Sequence, residues 1–442
     1  MNRAIYSEFL KWKASSRRKP LIVYGARQVG KTWLLNEFGK KEYKDTFYLN
    51  FDTNPEIHKY FEDNISPSHI IAGLQAYFGK KIDCNGTLLI FDEIQECQRA
   101  KDSLKYFNED ASQYHVAAAG SFLGIVSGKF PVGQVDEIIL RPLSFYEFLE
   151  AAGNSILLEN IKKLDRSAIS AVSAAAESKL KEYMYIGGMP EAVKVYIESG
   201  NLLETRETQE KILNNYKSDF SKHIKGTDIP KVRMIWESIP LHLSREKKKF
   251  MYREIKTGAR ASAYENALDW LVNTGLVYKV DRVNDAKLPL AAYASREAFK
   301  IYMLDTGLLS AAAGLDIKTF YEPDPLVFKE FKGAITEQFV LQELKTLQAN
   351  SSGRLPVFYW GKDEGKSEVD FVVQWENEVI PIEVKSGIHK KSKSLDIYRE
   401  LYRPARSVRA SLNNYGEMKG MYSIPLYMIA SLAGALELFK KS

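Results

Sequence analysis

Cysteine is scarce in this chain, and no uncharged stretch is long enough to cross a membrane. The two cysteines, Cys84 and Cys97, form no metal-binding or disulfide pattern, which favours a reducing compartment. The longest uncharged stretch, Met421 to Leu436, is interrupted by a proline and is shorter than a membrane span. Met1 to Trp12 lacks the apolar core of a signal peptide. We therefore expect a soluble, cytoplasmic protein with no membrane partner.

The composition is that of a folded protein with a mild excess of positive charge. Of the 442 residues, 45% are hydrophobic and 27% are charged, which excludes wholesale disorder. The net charge of +6 permits contact with nucleic acid but does not require it. A chain of this length is expected to form roughly three domains.

The first 150 residues alternate short apolar runs with segments of helical pattern. Buried parallel strands produce such runs when helices cover both faces of the sheet. The predicted strands are Leu21–Tyr24, Thr46–Phe51, Thr87–Phe91, His115–Ala119 and Val135–Leu140. An α/β domain with a parallel sheet is therefore predicted over residues 1–153.

A complete phosphate-binding loop follows the first of these strands. Its sequence is Gly25-Ala26-Arg27-Gln28-Val29-Gly30-Lys31-Thr32, and a helix is predicted to begin directly after it. Glycines allow such a loop to turn around phosphates, while backbone amides and the helix N-terminus supply positive potential. Lys31 is expected to contact the β- and γ-phosphates, and the Thr32 hydroxyl to bind Mg²⁺. The competing interpretation, a chance match in a glycine turn, is disfavoured by the strand and helix around the loop.

Acidic residues end the third predicted strand, as this chemistry requires. Asp92 is expected to hold Mg²⁺, and Glu93 to polarise the attacking water. An isolated Asp-Glu pair is usually a solvated strand end, but a complete phosphate loop favours the functional interpretation. Ser121, after the fourth strand, is a weaker candidate for sensing the γ-phosphate.

With these residues, the chain resembles a prokaryotic family that joins an AAA-like ATP-binding domain to a C-terminal domain of unknown function, DUF4143. The resemblance implies ATP as the nucleotide and places DUF4143 at roughly residues 190–390. The segments that carry it are Tyr24–Thr32, Leu88–Gln95, Ala119–Phe122, Arg141–Phe148, Tyr185–Glu191, Lys300–Leu308, Gly333–Phe339, Glu368–Phe371 and Pro381–Lys385.

One position departs from the family pattern. The resemblance implies a Gly-Arg pair just before the last strand of the first domain. This chain has Gly133-Gln134 at that place. If that arginine acts on the ATP of a neighbouring subunit, its role here is absent or moved, for instance to Arg141. Homo-oligomerisation is therefore an open expectation, and hydrolysis is less secure than binding.

A winged helix is predicted between Phe250 and Val283. Ala261–Leu271 would be its second helix, and Leu276–Val280 would begin the wing. Binding to DNA or RNA would use basic residues as phosphate contacts. Those residues are Lys247, Lys248, Lys249, Arg253, Lys256 and Arg260. The alternative is a winged helix that packs between domains, because its presumed recognition helix contains no arginine or lysine.

The C-terminal region carries a pattern typical of metal-dependent nucleases. Asp370 begins one predicted strand, and Glu383 and Lys385 share a face of the next, so a hairpin would bring them together. Glu337, on the preceding helix, is a further predicted ligand for a second divalent metal. The pattern looks like the PD-(D/E)xK nuclease signature, and the resemblance to DUF4143 supports that fold. The alternative is a structural relic whose acidic residues cap the strands.

We therefore predict an α/β protein with four parts. An AAA-like parallel-sheet domain (1–153) precedes a helical region (154–228), a winged-helix domain (229–314) and a nuclease-like α/β domain (315–442). The leading functional prediction is an ATP-dependent switch or motor coupled to a nuclease-like domain. The alternative is a regulatory module that binds nucleotide, hydrolyses it slowly and cleaves nothing.

Overall fold

The computed structural model of the chain describes residues 1–121, 133–224, 226–245, 248–321, 329–350, 355–362, 367–387 and 392–438. The chain divides into two compact units. The first comprises residues 3–141 together with 273–275, and the second contains residues 142–272 and 276–442 with the first two residues of the chain.

The first unit is built on a five-stranded parallel sheet. Its strands are β1 (Leu21–Gly25), β2 (Asp45–Asn50), β3 (Thr87–Asp92), β4 (His115–Ser121) and β5 (Asp136–Ile139). Every pair is parallel, and the order is β2-β3-β4-β1-β5. The parallel sheet predicted from the apolar runs is thus confirmed.

Helices complete this unit, and β1 and β3 are buried along their whole length. The helices are α1 (Tyr6–Ala14), α2 (Lys31–Glu42), α3 (Lys59–Glu62), α4 (Pro67–Phe78) and α5 (Gln98–Asp110). Because parallel strands end at the same edge of a sheet, Gly25, Asp92 and Ser121 lie along one edge. The phosphate loop and the acidic strand end are therefore neighbours.

The second unit begins with a helical region. Its helices are α6 (Phe145–Ala151), α7 (Ser155–Lys162), α8 (Arg166–Ile186), α9 (Pro190–Ser199), α10 (Leu202–His223), α11 (Ile229–Leu243), α12 (Ala261–Asn273) and α13 (Thr306–Ala312). The helical pattern predicted from Asn154 to about Asp228 corresponds to α7, α8, α9 and α10. No helix among the described residues is long and apolar enough to cross a membrane.

An eight-stranded mixed sheet forms the rest of this unit. Its strands are β6 (Val277–Val283), β7 (Ala294–Met303), β8 (Val357–Gly361), β9 (Glu368–Trp375), β10 (Glu378–Val384), β11 (Ser407–Ser411), β12 (Gly416–Met418) and β13 (Met421–Pro425). The accompanying helices are α14 (Lys318–Tyr321), α15 (Lys329–Asn350), α16 (Lys393–Tyr402) and α17 (Leu432–Leu438). The strand order is β12-β13-β11-β10-β9-β8-β6-β7.

The winged-helix prediction is not confirmed. Helix α12 forms where a second helix was expected, but only a short 3₁₀ turn, Tyr252–Glu254, precedes it in place of the first helix. The strands β6 and β7 do not form a separate wing, because β6 also pairs with β8 in the large sheet. Residues 298–303 of β7 are all buried, so this half of the strand lies in the core of the second unit.

Asp305 joins several segments of the second unit. It is completely buried, and its carboxylate accepts hydrogen bonds from the Gly188 amide at 2.7 Å and the Leu308 amide at 3.0 Å. The side-chain amide of Gln342 donates to it at 3.2 Å. Gly187 has a φ of 77°, and a Cβ at this position would overlap the Asp305 carboxylate. Two of the sequence segments that carry the family resemblance, Tyr185–Glu191 and Lys300–Leu308, therefore meet at one buried carboxylate, together with Gln342.

We expect Asp305→Ala to destabilise the second unit by about 2–4 kcal/mol, because it leaves buried amide donors without acceptors. Urea unfolding followed by tryptophan fluorescence measures this loss. Glu207→Ala, which removes an exposed carboxylate from α10, is the matched control and should change stability by less than about 0.5 kcal/mol. Equal unfolding midpoints for the two variants would contradict the role assigned to Asp305.

Candidate nucleotide site and C-terminal acidic centre

The phosphate loop has the backbone form expected from its sequence. Strand β1 ends at Gly25, and α2 begins at Lys31 with Gly30 as its N-cap at φ 93°. Gln28 also adopts a positive φ, 66°, so the loop turns sharply twice within three residues. The loop therefore leads into the N-terminus of a twelve-residue helix, where backbone amides favour an anion.

Lys31 lies folded against its own loop. Its Nζ donates to the carbonyl oxygens of Gly25 at 3.0 Å and Ala26 at 2.9 Å, and the residue is only 7% exposed. Burial lowers the pKa of Lys31 to about 8, against the opposing effect of the nearby Glu93 and Asp92 carboxylates. An ammonium held by two carbonyl dipoles can exchange them for phosphate oxygens, so the conformation is compatible with the predicted role.

Asp92 is the centre of this site. It is 1% exposed, and its Oδ2 accepts hydrogen bonds from the Thr32 hydroxyl at 2.8 Å and the Tyr48 hydroxyl at 2.6 Å. Its Oδ1 accepts from the amide of Glu93 at 3.0 Å. The structure thus brings the predicted ligands Thr32 and Asp92 into contact. A hydroxyl and a carboxylate are oxygen donors of the kind that Mg²⁺ prefers.

Glu93 lies beside the same edge of the sheet in a left-handed backbone conformation, with φ 49°. The side-chain amide of Gln95 donates to its Oε2. This bond orients the carboxylate that the sequence assigns to water activation. Gln95 lies within a motif of the family resemblance, but the sequence alone gives it no role.

Two further residues support the site and were not predicted. Tyr48 extends from β2 to Asp92, and Arg3 donates to the carbonyl oxygen of Val29 in the phosphate loop at 3.2 Å. The same guanidinium donates to the carbonyl oxygen of Arg141 at 2.5 Å. Arg3 therefore ties the phosphate loop to the end of the first unit. Neither contact has a local sequence signal, because each joins residues far apart in the chain.

The remaining predicted residues of this unit receive less support. Ser121 pairs in backbone register with Gly25, but its side chain lies outside the described residues. The side-chain oxygen of Gln134 accepts a hydrogen bond from Asn108 at 2.5 Å. Gln134 is thus engaged within its own unit. The source of an arginine finger stays a prediction, as does the sensor role of Ser121.

The C-terminal hairpin brings together the three residues of the nuclease-like pattern. Strands β9 and β10 pair antiparallel, and Oδ2 of Asp370 accepts from the Val384 amide at 2.8 Å. The Lys385 ammonium lies 2.6 Å from Oε1 of Glu383. Glu383 is 3% exposed, and its Oε2 has no hydrogen-bond partner among the described residues. A buried oxygen of this kind fits an additional cationic or donor ligand.

Glu337 extends from α15 into the same centre. Its Oε1 is paired with the Lys248 ammonium, and its Oε2 accepts from the Tyr302 hydroxyl at 3.2 Å. The Lys300 ammonium lies 3.9 Å from Oε2 of Glu337 and 2.5 Å from Oε1 of Glu368. Two lysines that the nuclease pattern does not contain are therefore part of this centre.

The pKa values of two carboxyl groups in the centre, Asp370 and Glu337, are shifted in opposite directions. Burial raises the pKa of Asp370 well above its ordinary value, and the neighbouring Glu337 and Glu383 carboxylates raise it further. Burial also acts to raise the pKa of Glu337, but the Lys248 and Lys300 ammonium groups outweigh it and hold that pKa below its ordinary value. Burial and like charge thus act against ionisation of Asp370, whereas the two ammonium groups favour ionisation of Glu337.

The predicted metal ligands do not form a ready metal site. Among the described residues, no group of three or more histidine, cysteine, aspartate or glutamate side chains is arranged to hold a metal ion. The physical reason is that ammonium groups already pair with Glu337 and Glu383.

Several basic residues that were predicted to contact nucleic-acid phosphates instead pair with carboxylates of the chain. Lys248 is turned onto Glu337, and Arg253 lies 3.6 Å from Glu254, which also pairs with Arg245 at 2.7 Å. Lys247 lies outside the described residues. Two of the predicted phosphate contacts, Lys248 and Arg253, are therefore engaged in ion pairs within the chain.

Three family models match the chain in separate segments. The model described as "AAA domain" matches residues 17–149, and "Domain of unknown function (DUF4143)" matches residues 332–429. "Domain of unknown function (DUF8612)" matches residues 177–319. The DUF4143 match thus lies further along the chain than residues 190–390, where the sequence resemblance places it.

Similar whole proteins add little about function. The uncharacterized protein MJ1544 of Methanocaldococcus jannaschii is 24% identical over 391 residues, covering 85% of this chain and 76% of that protein. The Walker-type ATPase PABY2304 of Pyrococcus abyssi is 15% identical, with a TM-score of 0.43 over 70% of this chain and 95% of that one. Can2 from Sulfobacillus thermosulfidooxidans, in complex with cyclic tetra-adenylate, is 11% identical, with a TM-score of 0.18 over 95% of this chain and 98% of that one. TM-scores this low do not establish a shared fold.

We expect Tyr48→Phe to raise the Mg²⁺ concentration required for nucleotide binding by about tenfold. The variant removes a hydrogen bond to a charged, buried carboxylate, an interaction worth about 1.5–3 kcal/mol. Titrating Mg²⁺ against a fluorescent ATP analogue measures the shift. Tyr77→Phe is the control, since the Tyr77 hydroxyl accepts a hydrogen bond only from the half-buried Asn54 side chain among the described residues. If both variants had the Mg²⁺ dependence of the wild type, Tyr48 would not position Asp92.

Proposed function

We propose, from the premise that this chain is an AAA-type P-loop protein with a C-terminal DUF4143 domain, that it hydrolyses ATP to control a nuclease-like centre acting on nucleic acid. The observation that supports the ATPase part most strongly is the 2.8 Å contact between Thr32 and Asp92. This contact unites the phosphate loop with the acidic strand end, as Mg²⁺-dependent phosphoryl transfer requires.

Each residue of the loop has a specific task in this proposal. Lys31 leaves the carbonyls of Gly25 and Ala26 and contacts the β- and γ-phosphates, while the amides before α2 bind the remaining phosphate oxygens. Thr32 and Asp92 would hold Mg²⁺, which would supply positive charge to the phosphates. Glu93, oriented by Gln95, accepts a proton from the attacking water.

The C-terminal centre is proposed to bind and cleave a phosphodiester. Glu383 and Asp370 would hold a divalent metal with Glu337, and this metal would draw negative charge from the scissile phosphate. Oε2 of Glu383, which has no hydrogen-bond partner among the described residues, supports this assignment. Lys385, next to Glu383, would orient the attacking water and stabilise the charge that develops on the phosphate. DNA and RNA are both candidate substrates.

A regulatory module without nuclease activity is the second candidate function. The pairing of Glu337 with Lys248 and of Glu383 with Lys385 favours it, because these carboxylates are already neutralised. Gln134 at the family's arginine position also favours slow hydrolysis. The two candidate functions share nucleotide binding and differ in whether the C-terminal centre performs chemistry.

ATP turnover tests the first part of the proposal. Phosphate release should fall by at least about a hundredfold in Glu93→Gln with nucleotide binding retained, because a general base contributes about that much. Lys31→Ala should lose both binding and turnover. Glu96→Gln, an exposed carboxylate in the same turn, is the control and should behave as the wild type. Undiminished turnover in Lys31→Ala would refute the ATPase assignment.

Cleavage assays test the second part. Wild-type protein should cleave labelled DNA or RNA with Mg²⁺ or Mn²⁺ and ATP, and Glu383→Gln should lower the rate by at least about a hundredfold. Glu376→Gln, in the exposed turn of the same hairpin, should leave cleavage unchanged. Failure of the wild type to cleave either nucleic acid would favour the regulatory module.

A further inference from the structure

Lys248 lies in the C-terminal centre, although the nuclease-like sequence pattern gives it no role. Its ammonium pairs with Oε1 of Glu337, and the two side chains are only 11% and 9% exposed. The backbone near it is anchored, because the Phe250 amide donates to the Phe299 carbonyl oxygen at 2.8 Å and the two rings stack at 5.4 Å. The ion pair is therefore a built feature of the centre and not a chance contact at the surface.

Ammonium groups already pair with three of the four carboxyl groups of the centre, and Asp370 is the fourth. Three ion pairs account for three ammonium groups: Lys248 with Glu337, Lys300 with Glu368, and Lys385 with Glu383. Any divalent cation that binds Glu337 must compete with an ammonium that is already desolvated and in contact.

Lys248 is the ammonium best able to leave. Lys300 is completely buried on strand β7, so moving it would disturb the sheet. Lys385 is part of the nuclease-like pattern itself. Lys248 instead lies outside helix and strand, and its neighbours Arg245 and Lys249 are exposed. Its withdrawal would break one ion pair but no strand pairing or helical hydrogen bond.

We propose that Lys248 is an internal cation that excludes divalent metal from Glu337 until the phosphodiester backbone of a nucleic acid draws it away. A phosphate group offers the lysine an alternative anion, and its departure frees Glu337 beside Asp370 and Glu383. The centre would then acquire its metal only when substrate is present. The inference rests on the proposed nuclease-like function and adds a condition for its activity.

Metal binding tests this directly in the full chain without nucleotide. Mn²⁺ titration followed by calorimetry should show weak binding to wild type and at least about tenfold tighter binding to Lys248→Gln, a change typical of groups next to metal ligands. Lys248→Arg retains a cation and should stay weak, and Lys249→Gln is the matched control on the exposed neighbour. Adding Glu383→Ala to Lys248→Gln should abolish the gained binding.

A single-stranded oligonucleotide should raise the Mn²⁺ affinity of the wild type but not that of Lys248→Gln. Equal Mn²⁺ affinities of wild type and a folded Lys248→Gln or Lys248→Met would overturn the proposal. If Lys248→Gln gained metal and nothing were cleaved, the proposal would stand and the nuclease function would fail. If the wild type cleaved nucleic acid but wild type and Lys248→Gln bound Mn²⁺ equally well, the nuclease function would stand and the proposal for Lys248 would fail.

Discussion

A buried carboxylate has to be matched by donors from the segments around it, and this constraint organises both compact units. In the first unit Asp92 binds a hydroxyl from the phosphate loop, a hydroxyl from β2 and a backbone amide. In the second unit Asp305 joins Gly188, Leu308 and Gln342. Each carboxylate draws distant segments together, so the geometry around it follows from the hydrogen bonds that its buried oxygens accept.

Local patterns were sufficient to predict the strand and helix around the phosphate loop, the acidic strand end and the C-terminal hairpin. The strand before Gly25, the helix from Lys31 and the acidic end of β3 follow from apolar runs, glycines and spacing. The pairing of β9 with β10 follows from two apolar strands around a polar turn. All of these features are encoded within a few residues of one another, which is why the sequence reveals them.

The supporting contacts were not predictable, because they join residues that are distant in sequence. Nothing near Arg3 or Tyr48 indicates that they contact Val29 and Asp92. The winged-helix prediction was not confirmed for the same reason: local sequence indicates a hairpin of β6 and β7, but not the pairing of β6 with β8. A local run of basic residues likewise indicates a binding surface, whereas Lys248 lies on a buried glutamate.

We infer that Asp92 and Thr32 form an Mg²⁺ site with the phosphate loop. Crystals grown with Mn²⁺ and a non-hydrolysable ATP analogue test it most directly through anomalous diffraction. We predict a manganese peak next to the Thr32 hydroxyl and Asp92, with Lys31 turned from the Gly25 and Ala26 carbonyls to the phosphates. A bound analogue with no manganese at these residues, and with Lys31 still on those carbonyls, would contradict the claim.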